Sequence, residues 1–213
     1  MWHTGDRVAP PFMDGCLARH GFLTTERLEV LAFFLVNGQV QRLPRIGVPE
    51  ELTVELVRDA EGLREALRVD SEVFRSPPPT SGEFAEYAGE LEKLRRRERP
   101  ELSREGTSLA VRFVAQVNPT LLSGGDNPRG IVAAAGAQVV GATLRLWGAG
   151  TRQAFRGRGA YGALVLERCR VGGHLGATLA LAKANVATSA PILKRAGFHP
   201  VGTERRHVLE IHR

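Results

Sequence analysis

The run Arg156-Gly157-Arg158-Gly159-Ala160-Tyr161 constrains this chain more than any other stretch. It follows a strand-like segment, Val139 to Trp147. A helical pattern from about Ala160 to Val171 comes next, with Gly162, Val165, Leu166 and Cys169 at i, i+3, i+4 and i+7. A helix N-terminus has orphan N–H donors and a partial positive charge. Glycine at 157 and 159 removes Cβ atoms that would keep a bulky anion from those donors. Arg156 and Arg158 add positive charge. The loop therefore suits the pyrophosphate of a large anionic cofactor.

Other readings compete for the same residues. Gly157, Gly159 and Gly162 also fit G-x-G-x-x-G, the dinucleotide fingerprint. That pattern needs an acidic residue roughly 20 positions on for the ribose. Leu175 to Leu181 holds no carboxylate, and three strands lie upstream of the loop rather than one. A P-loop is excluded because no Gly-Lys-Ser/Thr follows. A solvated Arg/Gly turn that binds nothing stays open.

The surrounding pattern is a mixed α/β layer architecture. Residues 44–49 read as a linker. From residue 51 the order is β-α-α-β-β-β-α-β-α-β. Leu52 to Val57 alternates as a strand, and Asp59 is an N-cap for a helix to Phe74. Ser81 caps a charged helix to Arg97. Strands are expected at 109–117, 130–137 and 139–147, with the loop 123–128 between the first two. Gly172-Gly173 is expected to stop the helix after the Arg/Gly loop. A buried strand at 177–182, a short helix from Ser189 to Gly197 and a strand at 204–211 complete the order. Upstream, Asp14 to His20 reads as a short helix, and Leu28–Leu35 with Val40–Leu43 as a hairpin about Asn37-Gly38.

Composition bounds the class. The 213 residues allow one sizeable domain plus something small, and 43% hydrophobic content builds a core. The longest apolar run, Val30 to Val36, is far short of a membrane span, and the N-terminus lacks a signal-peptide core. Cys16 and Cys169 have no metal-like or redox-like neighbours, so no metal and a reducing cytoplasm are expected. A net charge of +6 attracts anions. Nucleic acid ranks last among them: Arg95-Arg96-Arg97 prompts it, but no recognised motif is present and only 6% of residues are aromatic.

Residues 151–162, Thr151-Arg152-Gln153-Ala154-Phe155-Arg156-Gly157-Arg158-Gly159-Ala160-Tyr161-Gly162, resemble the signature of the GNAT acetyltransferases, Arg/Gln-x-x-Gly-x-Gly/Ala. Arg156 and Gly159 match, and Tyr161 stands where Gly or Ala is usual. Leu179-Ala180-Leu181, Asn185 and Ile192 to Phe198, ending in Gly197-Phe198, resemble the family's later segments. The resemblance covers about residues 52–212. It implies the GNAT acyl-CoA N-acyltransferase fold, a central mixed sheet flanked by helices. It implies acetyl-CoA as co-substrate and a small-molecule or peptide amine as acceptor. Ala149, Gly150 and Thr151 would pair with pantetheine. Arg156, Gly157, Arg158, Gly159, Ala160, Tyr161 and Gly162 would cradle the pyrophosphate, and Asn185 would touch the pantetheine arm. The alternative is a GNAT-fold acyl-CoA binder or sensor without catalysis.

The family often protonates its leaving thiolate from a tyrosine four residues before the Gly of Gly-Phe. Here that position is Leu193, which has no proton to give. Tyr161, at the helix start beside the loop, is one candidate substitute. Asp70, inside the apolar stripe Leu63, Ala66, Leu67, Phe74, is a candidate base for the acceptor. Glu83, Glu86, Tyr87 and Glu90 share a helix face that would attract a cationic acceptor.

An internal echo divides the chain. Leu17-Ala18-Arg19-His20-Gly21-Phe22 matches Leu193-Lys194-Arg195-Ala196-Gly197-Phe198 at four positions. Thr25-Glu26-Arg27 then matches Thr203-Glu204-Arg205. Residues 1–50 are therefore expected to resemble the tail of a second GNAT unit, and 51–213 to be the acetyltransferase domain. A homodimer or an intramolecular pseudo-dimer follows from that division.

Overall fold

The computed structural model describes residues 1–6, 10–37, 40–97, 108–118 and 129–209, with backbone alone at 37, 40 and 41. The expected architecture, a mixed sheet with helices packed on it, is the one adopted. The chain forms two compact units, Phe34–Ala180 and Met1–Phe33 with Leu181–Arg213. The loop at 123–128 lies outside the described residues.

In the unit 34–180 a minor ladder, β3 (Val36–Asn37) and β4 (Val40–Gln41), precedes the linker. Strand β5 (Leu52–Leu56) leads to helix α2 (Ala60–Phe74), where the Asp59 carboxylate accepts from Gly62 N–H at 2.7 Å. This is the cap expected from sequence. Helix α3 spans Ser81–Arg97, but its cap is Thr80 rather than Ser81. Thr80 Oγ1 accepts from Glu83 N–H, and Glu83 Oε2 accepts from Thr80 N–H at 2.8 Å. This reciprocal pair satisfies two donors at once, which a Ser81 cap would not.

Three antiparallel strands follow: β6 (Leu109–Val117), β7 (Ile131–Val140) and β8 (Thr143–Thr151), in the order β8-β7-β6-β5. The β7–β8 turn falls at Gly141, not at residue 138. Gly141 takes φ +54 without strain, whereas Gln138 stays in the ladder opposite Arg145. Helix α4 (Ala160–His174) runs through Gly172-Gly173 instead of ending there. A Cβ on Gly172 would lie 2.6 Å from Leu144, so that glycine serves close packing of helix on sheet. The stop comes at Leu175, ahead of Gly176 at φ +90.

Strand β9 (Leu179–Asn185) leads into the second unit. There, helix α1 (Met13–Arg19) precedes strand β2 (Leu23–Phe34), and helix α5 (Ser189–Arg195) precedes strand β10 (His199–Val208). With β1 (Trp2–Gly5) the order is β1-β10-β2-β9. The hairpin expected over 28–43 is therefore reduced to the β3–β4 ladder, whose connecting residues 38–39 lie outside the described set. Strand β2 pairs with β10 instead, over Leu23–Ala32. A long partner buries more backbone than a tight turn would. Phe33 and Phe198 stack at 5.2 Å beneath this pairing.

Candidate functional site

The Arg/Gly loop has the backbone its sequence requires. Gly157 and Gly159 sit at φ +77 and +84, conformations that an L side chain adopts only under strain. Gly159 is the N-cap of α4, no acidic residue lies in the first turn, and Arg156, Gly157, Arg158 and Gly159 are exposed. The glycines differ in what they face. Around Gly157 the Cβ direction is open. A Cβ on Gly159 would meet Pro49 at 2.8 Å, and one on Gly162 would meet Ile46 at 2.9 Å. Two of the three glycines expected to admit a ligand thus admit the linker, and Gly157 alone leaves its Cβ side clear. Arg156 Nε donates to Thr151 O at 3.3 Å, and the Arg158 guanidinium lies 5.4 Å from the Phe155 ring centre. A cavity of about 350 Å³ abuts the loop, lined by Leu52, Val117, Val132, Phe155, Arg158 and Ala160.

Strand β8 is bulged just before this loop. Gly136 faces Trp147 and Ala134 faces Gly150, so Gly148 and Ala149 together oppose Ala135. Gly148 takes φ +55. Helix α2 ends against the same strand. A Cβ on Gly150 would lie 2.9 Å from Val73, and Arg152 pairs with Glu72 at 3.0 Å.

Asp70 does not point freely into solvent. It accepts from buried Arg112 of β6, whose guanidinium lies between the Tyr87 ring at 4.6 Å and the Trp147 ring at 4.8 Å. Arg112 and Trp147 flank Gly136 in the sheet, and a Cβ there would collide with the indole at 2.5 Å. Burial pushes the Asp70 carboxyl above its ordinary value, and Arg112 only partly opposes this. Asp70 Oδ1 and Arg112 Nε are buried without a hydrogen bond.

No protein-family model matches the chain, and no curated protein matches it in sequence. Solved structures do. A GCN5-related N-acetyltransferase from Sphaerobacter thermophilus superposes with a TM-score of 0.63 at 23% identity, over 96% of this chain and 58% of that one. One from Kribbella flavida gives 0.60 at 19%, over 96% and 65%. A tandem GNAT protein from the clavulanic acid biosynthesis pathway gives 0.60 at 12%, over 95% and 61%. The chain has the GNAT fold. It spans about three fifths of the length of these structures.

Within the GNAT fold, residues 149–162 and Asp70 lie in one compact unit, while Asn185 and Leu193 lie in the other. Asn185 Oδ1 accepts from Ala187 N–H at 2.9 Å, which closes the turn before α5. Leu193 is fully buried. The acidic face of α3 is largely committed: Glu83 caps the helix, and Glu90 pairs with Lys93 and accepts from Ala110 N–H. Sequence reading passed over Arg112, Trp147 and Arg168. For the two arginines a signal was present, since Arg112 is the sole charge in the run Leu109–Val117 and Arg168 interrupts the apolar face of α4. Among the described residues no group of three or more His, Cys, Asp or Glu could hold a metal, and no helix is long and apolar enough to cross a membrane.

Proposed function

We propose that this chain is an N-acetyltransferase that moves an acetyl group from acetyl-CoA to a primary amine by direct attack in a ternary complex. The observation that carries the reading is the Arg/Gly loop: left-handed glycines, two exposed arginines and a helix N-terminus without acidic residues. That combination attracts and fits a pyrophosphate. Residues 156–162 would hold it, and Ala149, Gly150 and Thr151 would pair with the pantetheine arm. Acetyl-CoA supplies the thioester carbonyl.

Direct attack is favoured over an acyl-enzyme on Cys169. Cys169 is buried and its thiol is pushed up to about 12, so it is not a thiolate nucleophile. The acceptor must be a neutral amine, and a carboxylate raised by burial suits the task of receiving its proton. We assign this to Asp70, whose Oδ1 is left without a partner while Arg112 holds Oδ2. Tyr161, half-buried at the start of α4, is the phenol nearest the loop in sequence and is assigned the proton for the leaving thiolate. The acceptor is a small-molecule or peptide amine.

A second reading rests on Leu193, fully buried where the family often carries its tyrosine. On that reading the chain binds acyl-CoA without turning it over. Titration with acetyl-CoA separates the two. Binding to the folded state raises the melting temperature. Wild type is expected to shift, and Arg156→Glu with Arg158→Glu to lose the shift. No shift in wild type removes both readings. A shift without CoA release across an amine panel leaves the binder.

A further inference from the structure

Arg168 heads the fully buried side chains by size, and no described carboxylate pairs with it. Its Nε donates to Leu164 O at 3.0 Å. One terminal nitrogen donates to Gly136 O at 3.0 Å and also reaches Trp147 O at 3.5 Å. Burial pulls its pKa down, yet a guanidinium starts so high that it stays charged. Desolvating such a group is costly when no counter-ion accompanies it. A methionine would fill the same space without that cost, so the charge and its planar fork are the features in need of a reason.

The fork grips one place. Gly136 and Trp147 are cross-strand partners at the last regular step before the β8 bulge. Beyond them Gly148 and Ala149 crowd opposite Ala135, with Gly148 at φ +55. A bulge leaves backbone donors without ladder partners and aims them off the strand. If the pyrophosphate sits at 156–162, an arm running back along β8 past Thr151 and Gly150 advances roughly 3.3 Å per residue. Such an arm heads toward the bulge at Gly148 and Ala149.

We propose that Arg168 is a positioning residue for the acyl group. It clamps carbonyls of both paired strands, Gly136 O and Trp147 O, so that the backbone N–H groups of Gly148 and Ala149 at the bulge are held toward the thioester carbonyl oxygen. That oxygen gains negative charge as the amine attacks. The C–N bond forms, the C–S bond breaks, the electron pair leaves with sulfur, and the amine proton passes to the base. Fixed donors aimed at that oxygen stabilise the change without reorganising. Arg168 itself exchanges no proton. The inference rests on the proposed acetyl-CoA site and adds to it the element that distinguishes acetyl-CoA from free CoA.

The test is calorimetric binding of CoA and of acetyl-CoA to wild type, Arg168→Met, Arg168→Lys and Gly148→Val. Wild type is expected to prefer acetyl-CoA. Arg168→Met should lose that preference, with acetyl-CoA weakened about tenfold, the equivalent of one well-aimed donor, and CoA unchanged. Arg168→Lys should restore part of it. Gly148→Val, where the Cβ direction is open, should disturb the bulge alone and also abolish the preference, which keeps the test decisive should Arg168→Met not fold. Equal weakening of both ligands, or an unchanged preference in Arg168→Met or Gly148→Val, overturns the proposal. Equal affinity of wild type for the two ligands overturns it while leaving the acetyl-CoA site standing. Failure of wild type to bind either ligand removes that site and the inference together.

Discussion

Arg27 lies directly opposite Arg205 in the antiparallel ladder of β2 and β10. These two residues are also equivalent in the internal echo, as the last members of Thr25-Glu26-Arg27 and Thr203-Glu204-Arg205. Along this stretch the ladder brings equivalent positions together at this pair, while Glu26 faces Arg206 and Glu204 faces Leu28. A local two-fold axis therefore passes between the two arginines. Each half has the same parts: a seven-residue helix, a left-handed glycine (Gly21 at φ +81, Gly197 at φ +98) and a strand. Like charges directly opposite are unfavourable, and Arg205 is drawn aside to Asp14 at 2.6 Å. We propose that these two halves, which lie together in the unit Met1–Phe33 with Leu181–Arg213, are a duplicated tail.

The pairing makes a prediction about residues 1–43. Strand β10 has β1 on one side and β2 on the other. Deleting 1–43 exposes both of its edges and the Phe198 ring. Such edges template aggregation. The truncated chain is expected in the insoluble fraction, and soluble expression with monodisperse gel filtration of full-length and truncated chains checks this.

The loop glycines separate conformation from packing. Gly157→Ala meets open space and suffers only the left-handed backbone, about 1–2 kcal/mol. Gly159→Ala suffers the same strain and a collision with Pro49 at 2.8 Å. Urea unfolding is expected to show the second as the more destabilising by at least about 1 kcal/mol. The first should fold normally and serve for acetyl-CoA titration.

The Arg112–Asp70 pair is testable by a double-mutant cycle. Arg112→Met leaves Asp70 without its counter-charge, and breaking a buried pair costs about 3–5 kcal/mol. Asp70→Leu with Arg112→Met removes both charges and is expected to recover most of that loss. If Asp70 is the base, Asp70→Asn abolishes turnover at a stability that urea unfolding reports separately.

Three carboxyls near β1 set a response to acid. Hydrogen bonds from Thr203 hold Asp6 below its ordinary value, and the Thr4 hydroxyl does the same for Asp14. Burial pushes Glu204 up, but hydrogen bonds from Lys183 and His3 outweigh it and leave Glu204 lowered. A depressed carboxyl contributes stability that is present above its unfolded pKa and lost as pH falls through its folded one. Amide exchange of Trp2–Gly5 should therefore be slow at pH 6 and lose protection below about pH 4. The triple variant Asp6→Asn, Asp14→Asn, Glu204→Gln should flatten this dependence.

What was readable from sequence is what acts over a few residues. Asp59 caps α2 through the donor three positions on. Gly157, Gly159 and Gly197 take positive φ because each lacks a Cβ, and alternation marks β5. The wrong boundaries have local causes that a competing contact overrode. Thr80 closes a reciprocal cap that Ser81 cannot, and Gly172 yields to Leu144 instead of ending α4. Partner choice at long range was decided by tertiary structure alone. Arg206 meets Glu26 across 180 residues, Arg112 lies close to both the Tyr87 and Trp147 rings, and Arg168 crosses from α4 to the carbonyls of Gly136 and Trp147. Each depends on which surfaces are buried together, an energy summed over the folded chain that no short window contains.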